Sequence, residues 1–458
     1  MNNKRVKIEL SVIAIIVCAL YTLFVNSQIN YLEKETTPIA SDVVYYYSYL
    51  PVTFIYNDLS MEFIDENPEF FKYRLWYYST EEGSRVVKTT MGLSYLYLPF
   101  FIVANQFANW SPSFEANGYS NPYQLAIILC SFFYFVLGLI VLRKFLRKYY
   151  SDLSVFIALL LIGLGTNLFN YATFEPGMSH VFSFTLFSLS LYFFDIWLKR
   201  PTMKTGLTMG LLLGLIALIR PTNVLIALFL FLYKVDSVSA LKARINFLRA
   251  NSKQIILAAL TGFLVLVPQF VYWYYVSGSF LYYSYGQHET FFWAQPKIID
   301  GLFSYRAGWL LYTPIMGFTI LGLLLKGKQL IKSRWSIVIV LVLQVYIIFS
   351  WWSWWYGGSF GMRPMIDMYP ILAIPLAGFI TWMQSKNLAL KSLTFLIMLS
   401  FVFLNLFQSY QYRNYILHYE AMSKEAYWHI FLKTEKPEGL HETLDFIDYG
   451  KEMRGERD

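Results

Sequence analysis

The chain has 458 residues, 57% of them hydrophobic, 20% aromatic and only 14% charged. This composition, with a mean hydropathy of +0.44, excludes an ordinary soluble domain, because only a bilayer asks for repeated apolar runs of about 20 residues. The net charge of +8 does not imply nucleic acid: Lys and Arg fall in short clusters between apolar runs, the pattern that sets membrane topology.

In chain order, Met1-Asn2-Asn3-Lys4-Arg5-Val6-Lys7 leads into an apolar run to about Val25 with no small-residue cleavage site after it. It reads as an uncleaved first span with the N-terminus inside. Residues 27–122 follow as a large first external loop. Within it the apolar run 90–108 is expected to be a re-entrant or interfacial helix, because the connection to Pro122 has one Glu and no Lys or Arg, whereas Arg143 to Lys148 demands the inside. Tyr123 to Leu142 is the second span. Further spans are expected at 153–170, 179–198, 205–219, 222–233, 254–276, 309–325, 337–352, 366–383 and 393–410, with a second external loop at 277–307. The sequence therefore predicts an all-α polytopic membrane protein of about 11 spans. A transmembrane domain covers 1–410, and a short polar external tail covers 411–458. Cys18 and Cys130 lie inside apolar runs and form neither a disulfide framework nor a metal spacing. The positive-inside pattern suits a bacterial-type plasma membrane with the N-terminus in the cytoplasm.

Outside the basic clusters, the ionisable residues gather on the external side, which makes that face the working face. Asp42 opens the run Val43-Val44-Tyr45-Tyr46-Tyr47, and Asp58 follows it; each also suits a helix cap. Lys88 precedes the 90–108 helix, and Glu175-Pro176-Gly177-Met178-Ser179-His180 forms a tight turn between spans. Arg220-Pro221 breaks two short spans, His288 and Arg306 lie in the second loop, and Arg363 precedes a returning span. Cations at headgroup depth suit a lipid-linked phosphate, with Arg gripping its oxygens in pairs. Carboxylates beside them suit deprotonation of an incoming hydroxyl, or a divalent cation. The candidate catalytic residues are thus Asp42, Glu175, His180 and Asp58, and the candidate phosphate or substrate ligands are Lys88, Arg220, Arg306, Arg363 and His288. Group transfer from a lipid phosphate carrier is the chemistry this set describes. A transporter or flippase would need polar groups along a path through the membrane, and the span interiors hold few besides Asn167, Asn170, Gln344 and Asp195. A surface polysaccharide polymerase or ligase would share the external site.

This assembly resembles the GT-C superfamily of integral membrane glycosyltransferases, which includes protein O-mannosyltransferases and the bacterial aminoarabinose and galacturonic acid transferases. The resemblance is carried by Asp42 in the first loop, the Lys88 to Pro99 segment, Glu175-Pro176, and the Arg-Pro break ending Gly206 to Pro221. It covers the first half of the chain by motif and the second by architecture. The resemblance implies transfer of a sugar from a polyprenyl phosphate to a glycan, lipid or protein acceptor at the external face, with Asp42 as base or metal-organising group. The chain departs from the common pattern in having Val43 and Val44 where an adjacent acidic partner is usual, and in lacking tandem prolines after Lys88. Dependence on Mg or Mn, with Asp42 as first ligand, is therefore left open, as is the donor sugar.

Overall fold

The computed structural model describes residues 9–30, 37–286, 289–325 and 327–456. The chain begins with α1 (Leu10–Ser27), then α2 (Asp42–Phe54), the single turn α3 (Pro68–Phe71) and a two-residue antiparallel hairpin, β1 (Tyr78–Ser79) with β2 (Arg85–Val86). Next come α4 (Gly92–Trp110), α5 (Asn121–Leu146), α6 (Asp152–Leu164), α7 (Leu168–Thr173), α8 (Ser179–Lys199), α9 (Met203–Ile219) and α10 (Leu225–Leu232). The second half holds α11 (Val238–Ala250), α12 (Ser252–Ser277), α13 (Ile298–Phe303), α14 (Trp309–Tyr312), α15 (Met316–Leu324) and α16 (Lys328–Ser350). It ends with α17 (Tyr369–Gln384), α18 (Leu388–Arg413), α19 (Lys424–Ile430) and α20 (Tyr449–Met453).

Among the described residues, 7 helices are long and apolar enough to cross a membrane, which makes this a multi-pass membrane protein. They coincide with the runs expected at the N-terminus and at 123–142, 179–198, 254–276, 337–352, 366–383 and 393–410. The other expected runs are shorter or broken, each for a local reason. The run at 153–170 is interrupted after Leu164, where Gly165 to Asn167 separate α6 from α7. The run at 309–325 is split where Thr313, at φ −133 and ψ 60 and so outside the helical region before Pro314, ends α14. Arg220, extended before Pro221, ends α9, and a 3₁₀ turn over Pro221–Val224 leaves α10 only 8 residues. Helix α4 is not among the seven.

Glycines bring backbones together at several contacts, of which two bear on the long helices. A Cβ at Gly210 would overlap the carbonyl of Ala258, so α9 and α12 touch main chain to main chain, and Gly322 meets Pro375 of α17 in the same way. Helix α12 is otherwise peripheral, with only Gln269, Tyr272 and Val276 of its 26 residues buried. At the far end of α8 the buried carboxylate of Asp195 gathers Lys148 (3.1 Å), Lys234 (3.1 Å) and Lys199 (3.3 Å). The segment after α18 folds back on the bundle as a second apolar cluster, in which Ile416, Leu417, Met422, Tyr427 and Ile430 pack with Tyr312 and Phe360.

Candidate active site

Three backbone devices bring distant residues to the other end of α8. The first is the turn Glu175-Pro176-Gly177-Met178. Pro176 presets the second position, Gly177 takes φ +96 at the third, and the Met178 N–H donates to the Glu175 carbonyl at 3.4 Å, the features of a type II turn. A Cβ on Gly177 would also collide with Ile127 and Val43. The second is Gly361, whose φ of +59 and contact with Tyr312 bend the chain into the 3₁₀ turn Arg363–Met368. The third is the start of α2, where Ser41 is the cap residue and Asp42 the first helical one. The Asp42 side chain is therefore free of capping, and it meets Arg363 at 2.8 Å.

Burial works to raise the Asp42 pKa, but Arg363, helped by Lys88, more than offsets it and holds the carboxyl below the usual carboxylate range. Glu175 behaves oppositely. Burial pushes it up to about 7 against the opposing pull of Arg363 and the hydroxyl of Tyr412, which donates to its Oε1 at 3.0 Å. Its Oε2 is buried without a hydrogen-bond partner, as is Nε of Arg363. Asp42, Glu175 and Arg363 all line one cavity of about 550 Å³.

Lys88 sits on a segment tied down on both sides. The Tyr272 hydroxyl accepts from the Val87 N–H at 3.0 Å, and Gln269 accepts from the Met91 N–H at 2.8 Å. Its ammonium pairs with Glu289 at 2.6 Å and lies 5.2 Å from the Tyr285 ring centre. Burial works to lower the Lys88 pKa, and Glu289 reverses this to a net rise. Arg220 faces the imidazole of His180, with Nη1 3.3 Å from Nε2, and reaches Asp367 at 3.5 Å. His180 Nδ1 is 3.1 Å from Asp367, and Asn223 donates to the same carboxylate at 2.9 Å. Tyr46 lies within the electrostatic reach of Asp42, Arg220 and Arg363 alike.

The structure thus brings Asp42, Lys88, Glu175, His180, Arg220 and Arg363 together, and corrects two expectations. Asp58 accepts from the N–H groups of Ser60 (2.9 Å), Glu62 (2.7 Å) and Phe63 (3.3 Å). Its carboxylate closes a local turn instead of joining the cluster. Arg306 donates to the Glu420 carbonyl at 2.6 Å and pairs with Asp445 at 2.8 Å, so it fastens the C-terminal segment. His288 lies outside the described residues. Sequence reading missed Asp367, hidden in an apolar run, and Tyr412. It also passed over Glu289, although that residue is a carboxylate one position from a candidate histidine. As to Mg or Mn, no group of three His, Cys, Asp or Glu among the described residues is arranged to hold a metal ion. With Asp42 already paired to a guanidinium, the donor set does not fit a resident divalent cation.

The helical bundle that carries these residues has a fold also met in solved structures of another protein. The chain shares it with the oligosaccharyltransferase of Archaeoglobus fulgidus. In its apo form that protein is 12% identical with a TM-score of 0.51, over 94% of this chain and 59% of that one. The form tethered through a disulfide to an acceptor peptide containing the NVT sequon gives 12% and 0.52, over 93% and 58%. At this identity the likeness is one of fold, and the chain spans about three fifths of the length of these structures. No family model matches the chain. No curated protein matches it by sequence.

Proposed function

We propose that the protein is a membrane glycosyltransferase that moves a sugar from a polyprenyl-phosphate carrier to a hydroxyl acceptor at the external face. The observation that carries this reading is the meeting of Asp42, Glu175 and Arg363 in one cavity, with Lys88 and Arg220 beside it. In the step envisaged, the acceptor oxygen attacks the anomeric carbon, and the bond from that carbon to the phosphate oxygen breaks. The electron pair leaves with the phosphate, which Lys88, Arg220 and Arg363 stabilise. The acceptor proton passes to Glu175, whose unpartnered Oε2 and pKa of about 7 match a base working near neutrality. Asp42, kept ionised by Arg363, faces the positive charge that develops at the anomeric carbon. His180 and Asp367 orient Arg220 from behind.

The external placement rests on the charge pattern: Arg143 to Lys148 and Lys199-Arg200 mark the opposite side. On the same ground the broken runs at 153–170, 205–233 and 309–325 are counted with the seven long helices as about 11 crossings. The residues 1–410 form the transferase domain, and the plasma membrane of a bacterium-like cell is its site of action. The fold it shares with an oligosaccharyltransferase is in keeping with this. The test is transfer of radiolabel from polyprenyl-phosphate sugars in membranes containing the protein. Asp42→Asn should insert normally and lose about two to three orders of magnitude in transfer rate; near-normal transfer by that variant would remove Asp42 from the reaction.

A further inference from the structure

Helix α18 ends in a Schellman motif. The N–H of Ile416 donates to the Gln411 carbonyl at 2.9 Å, and that of Tyr415 to the Tyr412 carbonyl at 3.2 Å. The residue after the cap in this motif adopts the left-handed conformation, and glycine ordinarily stands there. Here it is Tyr415, at φ 55. A bulky side chain in that region is an outlier that persists only where its surroundings enforce it. The enforcement is visible, since Ile416 and Leu417 are buried in the second apolar cluster. Tyr415 itself is 63% exposed and has no aromatic ring packed on it among the described residues.

Tyr415 lines the cavity that holds Asp42 and Glu175. Tyr419 and Tyr449, also from the C-terminal segment, line it too, and Glu420 adds a third carboxylate. Arg306 clamps this wall through Glu420 and Asp445, and the Tyr419 carbonyl accepts from the Ser359 N–H at 3.1 Å. An open aromatic face carries negative π density, against which the C–H face of a pyranose sits well. The carboxylates beside it accept from sugar hydroxyls. At about 550 Å³ the cavity is within the range of small-ligand sites.

We infer that the C-terminal segment forms an acceptor subsite for a carbohydrate, with the Tyr415 ring as the stacking platform. The inference rests on the glycosyltransferase reading above and narrows its acceptor to a glycan.

The experiment is saturation-transfer NMR on the full chain in detergent, with methyl glycosides of glucose, galactose, mannose and N-acetylglucosamine as probes and a Ser/Thr peptide as the competing class. Glycine is the usual occupant of this position, so Tyr415→Gly should fold at least as stably as the parent while weakening glycoside binding by about ten-fold. Tyr415→Trp should retain binding. Glycoside binding unchanged in Tyr415→Gly overturns the inference, as does binding of the peptide with no glycoside bound. Carrier-phosphate binding that depends on Lys88 and Arg220, measured on the same samples, separates the two readings. If it persists while glycosides fail, only the subsite falls; if it too is absent, the transferase reading falls with it.

Discussion

Glu175 is a residue whose surroundings strongly alter its chemistry, and pH should expose it. Its carboxyl titrates near 7 in the folded protein against an ordinary 4.5. The folded state therefore holds more protons than the unfolded state between those values, and stability falls as pH rises from about 4.5 to about 7, then levels off. Transfer should rise through the same upper value as the base ionises. Glu175→Gln should lose that rise along with about two to four orders of magnitude in rate, and its melting temperature should no longer drop across the interval. A pH–rate profile with its inflection retained in Glu175→Gln would assign the base elsewhere. The cations make a second case. Charge-assisted contacts contribute roughly 1.5–3 kcal/mol each, so Arg220→Ala or Lys88→Ala should weaken carrier binding about ten-fold to a hundred-fold. Arg220→Lys should recover only part, because a point charge does not reproduce the guanidinium fork. Donor affinity unchanged in both alanine variants would remove the phosphate site.

At the level of elements, the long apolar helices were legible because lipid imposes one demand on all of them, and α5, α8 and α18 lie where the apolar runs put them. The breaks were legible only in part. Arg220-Pro221 announces itself, whereas the division of α6 from α7 depends on buried partners: Asn405 of α18 donates to the carbonyls of Leu164 (2.8 Å) and Thr166 (2.9 Å), and no local pattern predicts that. The site shows the same split. Asp42 and Arg363 could be singled out as ionisable groups near lipid, but their pairing spans most of the chain, and Asp367 was hidden by its apolar neighbours. Asp58 has the same residue type as Asp42 and the opposite use, a difference made by Ser60 and the turn around it. Helix α4 carries an element-scale prediction. If it lies at the external interface, a cysteine at Ser113, exposed in the loop after it, should react from outside with an impermeant thiol reagent. The background would carry Cys18→Ala and Cys130→Ala, both natural thiols being buried. Labelling only after permeabilisation would make α4 a crossing helix.

Taken whole, the molecule hangs two of the three cations proposed to hold the carrier phosphate on one pair of helices. Helix α9 ends at Arg220, and α12 grips the chain on either side of Lys88 through Tyr272 and Gln269. The glycine contact at Gly210 leaves no side chain between the two helices to absorb relative movement. Since α12 runs 26 residues and is mostly unburied, it is the helix most subject to the thickness of the surrounding hydrocarbon, which long helices accommodate by tilting. A tilt of α12 would carry Lys88 and Arg220 together, away from the carboxylates of α2 and the Glu175 turn. In vesicles with acyl chains from about 14 to about 22 carbons, donor affinity should pass through an optimum, while glycoside binding at Tyr415 stays level. A flat donor affinity would show α12 to be mechanically silent. The lipid would then be no more than a solvent for this protein; with an optimum, the surrounding membrane becomes a setting on the enzyme, tuning its grip on the carrier without touching the reacting atoms.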